Sequence, residues 1–255
     1  AKCRKMENDL TMASLTGQHD KVLDILKRLK TEIPKESRWS MLLLNTYPGV
    51  VKEYLKDAVL TDGEAAVLKT YSSMLAKFGV QDINISVMNQ VVSHVIADEK
   101  IEAEEEILID RCLNTFGLKS MESDIKKTIA EYKELEKLKT EGLKAITPTL
   151  TTGDPSPCYY EASCTHMKTK TTQGVMTLLP DEPGTFVITR DNLHVIANGH
   201  RVIKANSIIS AEKYQEEQGV VGIIVTNRKT PIYIKVPSSI IVLGVIQKIL
   251  TERTI

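Results

Sequence analysis

Acidic side chains placed at helix entries are the residues best spaced for chemistry in this chain. Leu60-Thr61-Asp62-Gly63-Glu64 opens one apolar-periodic segment that runs to Phe78-Gly79-Val80. Ile96-Ala97-Asp98-Glu99-Lys100-Ile101-Glu102 opens a second, which carries Glu105 and runs to Phe116-Gly117-Leu118. If two such copies pack about a pseudo-twofold axis, Asp62, Glu64, Asp98, Glu102 and Glu105 converge, and their hard oxygens suit Ca or Mg. The competing use is structural: Asp before a helix caps it, and Glu in the first turn favours the helix dipole. Neither copy has the alternating ligands of an EF-hand loop.

Other chemistry has less to build on. Cys158, Cys164 and His166 share parity along a strand, with His194 and His200 downstream, but the spacing is not that of a zinc knuckle. There is no nucleophile elbow, no phosphate loop and no dinucleotide fingerprint, so an enzyme is not expected and a metal-dependent one is the remote alternative. In the second half Lys168 and Lys170 share a strand face, while Arg190 and Arg201 sit near turns. Such groups can grip an anionic lipid head group, or simply face water.

The 255 residues carry 33 basic and 33 acidic side chains, so no overall charge draws the chain to nucleic acid, and none is expected as a partner. No apolar run reaches the ~20 residues a membrane helix needs. Ala1–Lys5 is followed by no apolar stretch, so the expectation is a cytoplasmic chain, membrane-associated only at its periphery, with Cys3, Cys112, Cys158 and Cys164 reduced.

The elements that must position these groups fall into two textures. Residues 1–146 read as helical: apolar residues recur at three and four, as in Val22, Ile25, Leu26 and Leu29. Met41–Leu44 and Val50–Leu60 read as separate helices, with Pro48 in the first turn of the latter. Asp82 reads as the cap of a helix bearing Val87, Val91, Val92 and Val95. Residues 123–146 form a long charged helix with a seam of Ile125, Ile129, Tyr132, Leu135 and Leu138, narrow enough to be buried in the chain or to pair two copies as a homo-oligomer. Trp39 reads as a core or interdomain anchor rather than a ligand platform. Thr147–Pro157 is a Thr/Pro-rich linker. Residues 158–255 read as short antiparallel strands closed by an apolar helix, Ile240–Leu250, with turns at Asp181-Glu182-Pro183-Gly184 and at Asn198-Gly199. The expected class is α+β.

Residues 39–119 resemble the tellurite-resistance TerB-like family, on Asp98, Ile101 and Glu105 of the second copy and Asp62-Gly63-Glu64 of the first. Glu99 stands where that family has Gly, and the first copy lacks the later acid. The tail, about 158–252, resembles the pleckstrin-homology-like group in its bacterial or GRAM-like form, on Gly184-Thr185-Phe186-Val187-Ile188-Thr189-Arg190-Asp191-Asn192-Leu193 and on Arg201–Ile209. These resemblances imply a helical domain, then an antiparallel β-barrel capped by a C-terminal helix. They imply a non-enzymatic adaptor with a protein partner, a divalent cation on the acids, and a setting in bacterial stress or phage and tellurite resistance. The alternative they leave is a peripheral membrane module docking anionic lipid.

Overall fold

A computed structural model describes residues 2–173 and 175–253. Seven helices come first: α1 (Lys2–Leu15), α2 (His19–Glu32), α3 (Glu36–Tyr54), α4 (Asp62–Met74), α5 (Val80–Val95), α6 (Ala103–Phe116) and α7 (Lys119–Glu141). Seven strands follow: β1 (Cys158–Thr172), β2 (Val175–Thr189), β3 (Asn192–Ile196), β4 (His200–Lys204), β5 (Ile208–Lys213), β6 (Val220–Val225) and β7 (Ile232–Lys235), with α8 (Ser239–Arg253) last. The α+β class and the terminal helix are as expected. The chain divides into two compact units, Ala1–Ile129 and Ala130–Ile255, and the division falls within α7. No helix of the described residues is long and apolar enough to cross a membrane.

The first unit buries the apolar stripes that the sequence displays. Val22, Ile25, Leu26 and Leu29 of α2 are buried, and so are Val67, Leu68 and Tyr71 of α4. Trp39 is buried edge-on to Phe78, with the Lys30 ammonium over its ring. One helix, α3, replaces the two expected on either side of Pro48. Its core face continues through Leu43, Tyr47, Val50, Val51 and Tyr54, and burying that face outweighs the backbone bond that proline removes. At the next boundary Gly79, in the left-handed region at φ 75°, is the N-cap of α5, and α5 starts at Val80, ahead of Asp82.

In the second unit the strands are all antiparallel, in the order β4-β3-β2-β1-β7-β6-β5. The two edges, β4 and β5, do not pair, so the sheet is open and the expectation of a closed barrel is corrected. The inner face and α8 share one core, with Phe186, Ile188, Leu193, Val195, Ile223 and Ile234 against Val242, Val245 and Ile249. Leu135 joins that core, and a Cβ on Gly244 would come within 2.5 Å of its Cδ1. Ile125 and Ile129 are buried too, so much of the α7 seam packs inside the chain.

The Asp181–Gly184 segment is not a turn. It lies inside β2, which runs unbroken against β1 with an irregularity between His166 and Met167. Only Thr185–Ile188 of β2 pair with β3, so Pro180 and Pro183 stand where β2 has one neighbour and no second ladder needs their missing N–H. Gly184 faces the end of β3 so closely that a Cβ there would collide with the Ile196 carbonyl. The Asn198-Gly199 hairpin is present between β3 and β4.

Candidate functional site

The helical unit contains an internal repeat in a register different from the one the acids suggested. Asp57 Oδ1 accepts the Val59 N–H at 3.2 Å, and Asp98 Oδ1 accepts the Lys100 N–H at 3.1 Å. The residue after each Asp, Ala58 at φ 57° and Glu99 at φ 61°, is left-handed without being glycine. Leu60 and Ile101 are then buried just ahead of the caps. Thr61 and Glu64 form a capping box, and Glu105 Oε2 accepts the Glu102 N–H at 2.9 Å. Asp57, not Asp62, is therefore the counterpart of Asp98. The offset carries through the buried residues: Tyr54 with Val95, Val67 with Leu108, Tyr71 with Cys112, Leu75 with Phe116. The repeat is a helical hairpin, α3–α4 and then α5–α6.

This register accounts for the five acids. Glu64 and Glu105 serve the caps. Asp62 pairs with Arg111 at 3.0 Å, Glu102 pairs with Lys100 at 2.9 Å, and Asp98 closes its own turn. Among the described residues no three His, Cys, Asp or Glu side chains gather as a metal-binding group.

The two halves of the repeat differ in how far one helix face is covered. Leu42, Thr46 and Val50 of α3 are buried, whereas their counterparts on α5, Ile83, Val87 and Val91, are only half-buried. These three line an apolar groove of about 800 Å³, together with Val51 of α3, Leu55 just past its end and Leu108 of α6. Lys52, Lys56, Asp82 and His94 edge it. The same helices share a buried polar triangle with α4: Tyr47 Oη donates to Asn84 Oδ1 at 2.7 Å, Asn84 Nδ2 donates to Ser72 Oγ at 3.2 Å, and the two hydroxyls are 2.9 Å apart. Burial pushes the Tyr47 phenol up to about 12, so it stays a neutral donor that ties α3, α4 and α5. The signal in the sequence was a second apolar stripe on α5, at spacing four, beside the inward stripe of Val80, Asn84, Met88 and Val95.

The basic residues of the second unit do not converge as a set. Lys168 Nζ pairs with Asp181 Oδ1 at 2.5 Å, and Asp181 Oδ2 is 3.0 Å from His166 Nδ1. Arg201 Nη1 is 2.8 Å from His166 Nε2. A guanidinium only donates, so Nε2 is the acceptor and the Nδ1–H faces the carboxylate. The bond from Lys168 is the first reason that Asp181 stays below the usual carboxylate range. Lys170 lies further along the exposed hairpin. Arg190 is at the opposite end of β2, beside Asp191 at 3.6 Å.

A buried network that no motif in the sequence singles out centres on Asp154, in the Thr/Pro segment. Its Oδ1 accepts from the Ser156 N–H at 2.9 Å and the Ser156 hydroxyl at 2.7 Å. Its Oδ2 accepts from Thr189 Oγ1 at 2.5 Å and Asn192 Nδ2 at 2.8 Å, and lies 3.2 Å from His194 Nε2. Burial acts to raise this carboxyl, but the bonds from Asn192, Thr189 and Ser156 outweigh it and hold Asp154 well below the carboxylate range. An ionised Asp154 accepts only, so His194 donates from Nε2, and its Nδ1 meets His200 Nε2 at 2.9 Å. The histidines and cysteines of the supposed zinc set are thus dispersed: His166 belongs to one network, His194 and His200 to another, Cys164 to the apolar core, and all four cysteines are free.

No family model and no curated protein matches the chain, so the TerB-like resemblance rests on its motif residues alone. Among solved structures, the chain is similar to the N-terminally truncated linker-DH/PH domains of p115-RhoGEF, at 10% identity and a TM-score of 0.27, over 98% of this chain and 70% of that one. A mutant of the DH/PH domains of the same protein gives a TM-score of 0.28 at 10% identity, over 98% and 71%. Likeness at that level carries no argument about function.

Proposed function

We propose that this chain is a non-enzymatic binding protein, an adaptor whose helical unit holds a protein partner in the groove between α3 and α5. The observation that supports this reading is the half-buried stripe Ile83, Val87 and Val91, whose counterparts in the first half of the repeat are fully covered. An amphipathic surface of this kind, apolar along its floor and polar along its edges, is how helical proteins take up partner segments. The divalent cation has no comparable support, because each of its acids has a capping or pairing role. Lipid docking through the tail has little, because Lys168 and Arg201 are engaged with Asp181 and His166.

The test is a photo-crosslinking residue placed at Gln90, exposed on the groove edge, in the native cell, with one at Lys229 as the remote control. The reading expects a discrete adduct from Gln90 that is absent from Lys229 and is lost when Val87→Glu is added. No adduct, or the same adducts from both positions, would count against it.

A further inference from the structure

One exposed histidine of the second unit is wired to a buried carboxylate. His194 lies on β3 and His200 on β4. Register pairs His194 with Val202 and Ile196 with His200, so the two histidines are diagonal neighbours on the sheet face opposite Leu193 and Val195. His194 is buried against the Asp154 segment, while His200 is exposed at the start of β4.

Donor and acceptor roles along this row follow from its buried end. Asp154 is ionised and only accepts, so His194 Nε2 carries the proton that faces it at 3.2 Å. A neutral His194 then has a lone pair on Nδ1, and the nitrogen 2.9 Å away, His200 Nε2, carries the next proton. His200 Nδ1 is therefore left with a lone pair. Among the described residues no group hydrogen-bonds to that nitrogen, and His200 is exposed. A free imidazole divides between two tautomers, whereas these bonds hold His200 in the one whose open nitrogen has no partner in the protein. Each bond also polarises the next, which places electron density on Nδ1.

We propose that His200 Nδ1 is a nucleophilic modification site that takes an acyl group from a small activated acyl donor, with His194 and Asp154 as the positioning residues behind it. The Nδ1 lone pair attacks the acyl carbon and forms a C–N bond. The bond from that carbon to the leaving group breaks, and the leaving group departs with its electron pair. The ring gains a positive charge, which is discharged when the Nε2 proton crosses to His194 Nδ1. His194 becomes an imidazolium against the Asp154 carboxylate, the arrangement by which a buried acid stabilises a charged histidine. The cross-strand neighbours on this face, Ile196 and Val202, are aliphatic. An uncharged acyl group suits them better than a phosphoryl group, which calls for a cation beside it. The site belongs to the second unit and is independent of the groove between α3 and α5.

The experiment treats the full chain at neutral pH with a small excess of diethyl pyrocarbonate and follows each histidine by peptide mass mapping. His94 is also exposed and is the internal reference. His200 should react roughly tenfold faster than His94, short of what a positioned base gives a bound substrate, because this reagent arrives unoriented. The ethoxycarbonyl group should sit on Nδ1, and NMR of the untreated chain should show that nitrogen without a proton. His194→Gln keeps an acceptor for His200 but cannot take up its proton, and Asp154→Asn keeps an oxygen for His194 but removes the charge. Each should bring His200 down to the rate of His94 while His94 itself is unchanged, whereas a loosened sheet would expose buried histidines and speed their reaction. A wild-type His200 no faster than His94, attachment at Nε2, or a rate indifferent to both substitutions would each overturn the proposal.

Discussion

Replacing Asp154 by Ala should weaken the second unit more than its place in a Thr/Pro segment suggests. The carboxylate is almost fully enclosed and accepts from five donors: two on Ser156, and one each on Thr189, Asn192 and His194. Hydrogen bonds to a charged group contribute ~1.5–3 kcal/mol each when removed singly, but they are not additive, and Ser156 can turn to water. Thr189 can turn its hydroxyl to the Asn192 carbonyl, 2.9 Å away, but the buried His194 loses its acceptor, so the expected loss is ~2–3 kcal/mol. For a unit of this size that is a fall of roughly 6–12 °C in melting temperature. Calorimetry of the full chain should show the change in one of two transitions. The pH dependence provides an independent check. The folded Asp154 carboxyl is depressed, so its stabilisation is complete above the unfolded value of ~4 and is lost as pH falls from there toward the folded value. The wild type should therefore lose stability steeply below about pH 4 relative to Asp154→Asn, whose profile should be flatter there. A loss under 1 kcal/mol for Asp154→Ala, or parallel pH profiles, would refute the reasoning.

Ala58→Gly and Glu99→Gly should each stabilise the helical unit by ~0.5–1 kcal/mol, because both positions are left-handed and the relief exceeds the entropy that glycine adds to the unfolded chain; urea midpoints lowered by both changes would contradict the repeat register. Thr61→Ala should cost ~1 kcal/mol through loss of the capping box, read from the same urea titration. Gly184→Ala should cost ~2 kcal/mol or more, since its Cβ meets a backbone carbonyl that cannot rotate away, and an unchanged thermal midpoint would show that β3 can shift freely.

Most of the architecture was legible because apolar spacing reports the face an element buries. The stripes of α2 and α4, the seam of α7 and the apolar α8 are where the sequence puts them, and Gly117 ends α6 in the left-handed form its position suggests. Local turn chemistry misled where tertiary context decided. Pro48 sits inside α3 because the buried face continues across it, and Pro183 sits inside β2 because that stretch has a single neighbour. The repeat was visible but read out of register. Asp62-Gly63 looks like Asp98-Glu99, yet the left-handed residues are Ala58 and Glu99, and Ala carries no sign of that backbone. Asp154 was hidden for a related reason. Asp-Pro-Ser-Pro marks a turn, and nothing in it says that Thr189, Asn192 and His194, distant in sequence, supply the other donors. The groove is legible only by comparing the two halves, since the α5 stripe reads as ordinary core until the structure leaves it half-covered.

Hydrogen exchange across the helical unit, with and without the partner recovered by the Gln90 crosslink, bears most directly on the central claim. The account predicts added protection at Ile83–Val91 of α5 and at Val51–Leu55 at the end of α3 and its cap, no change in α2, and none of this in the Val91→Glu variant. Protection spread evenly over the unit, or confined to surfaces away from α3 and α5, would contradict it.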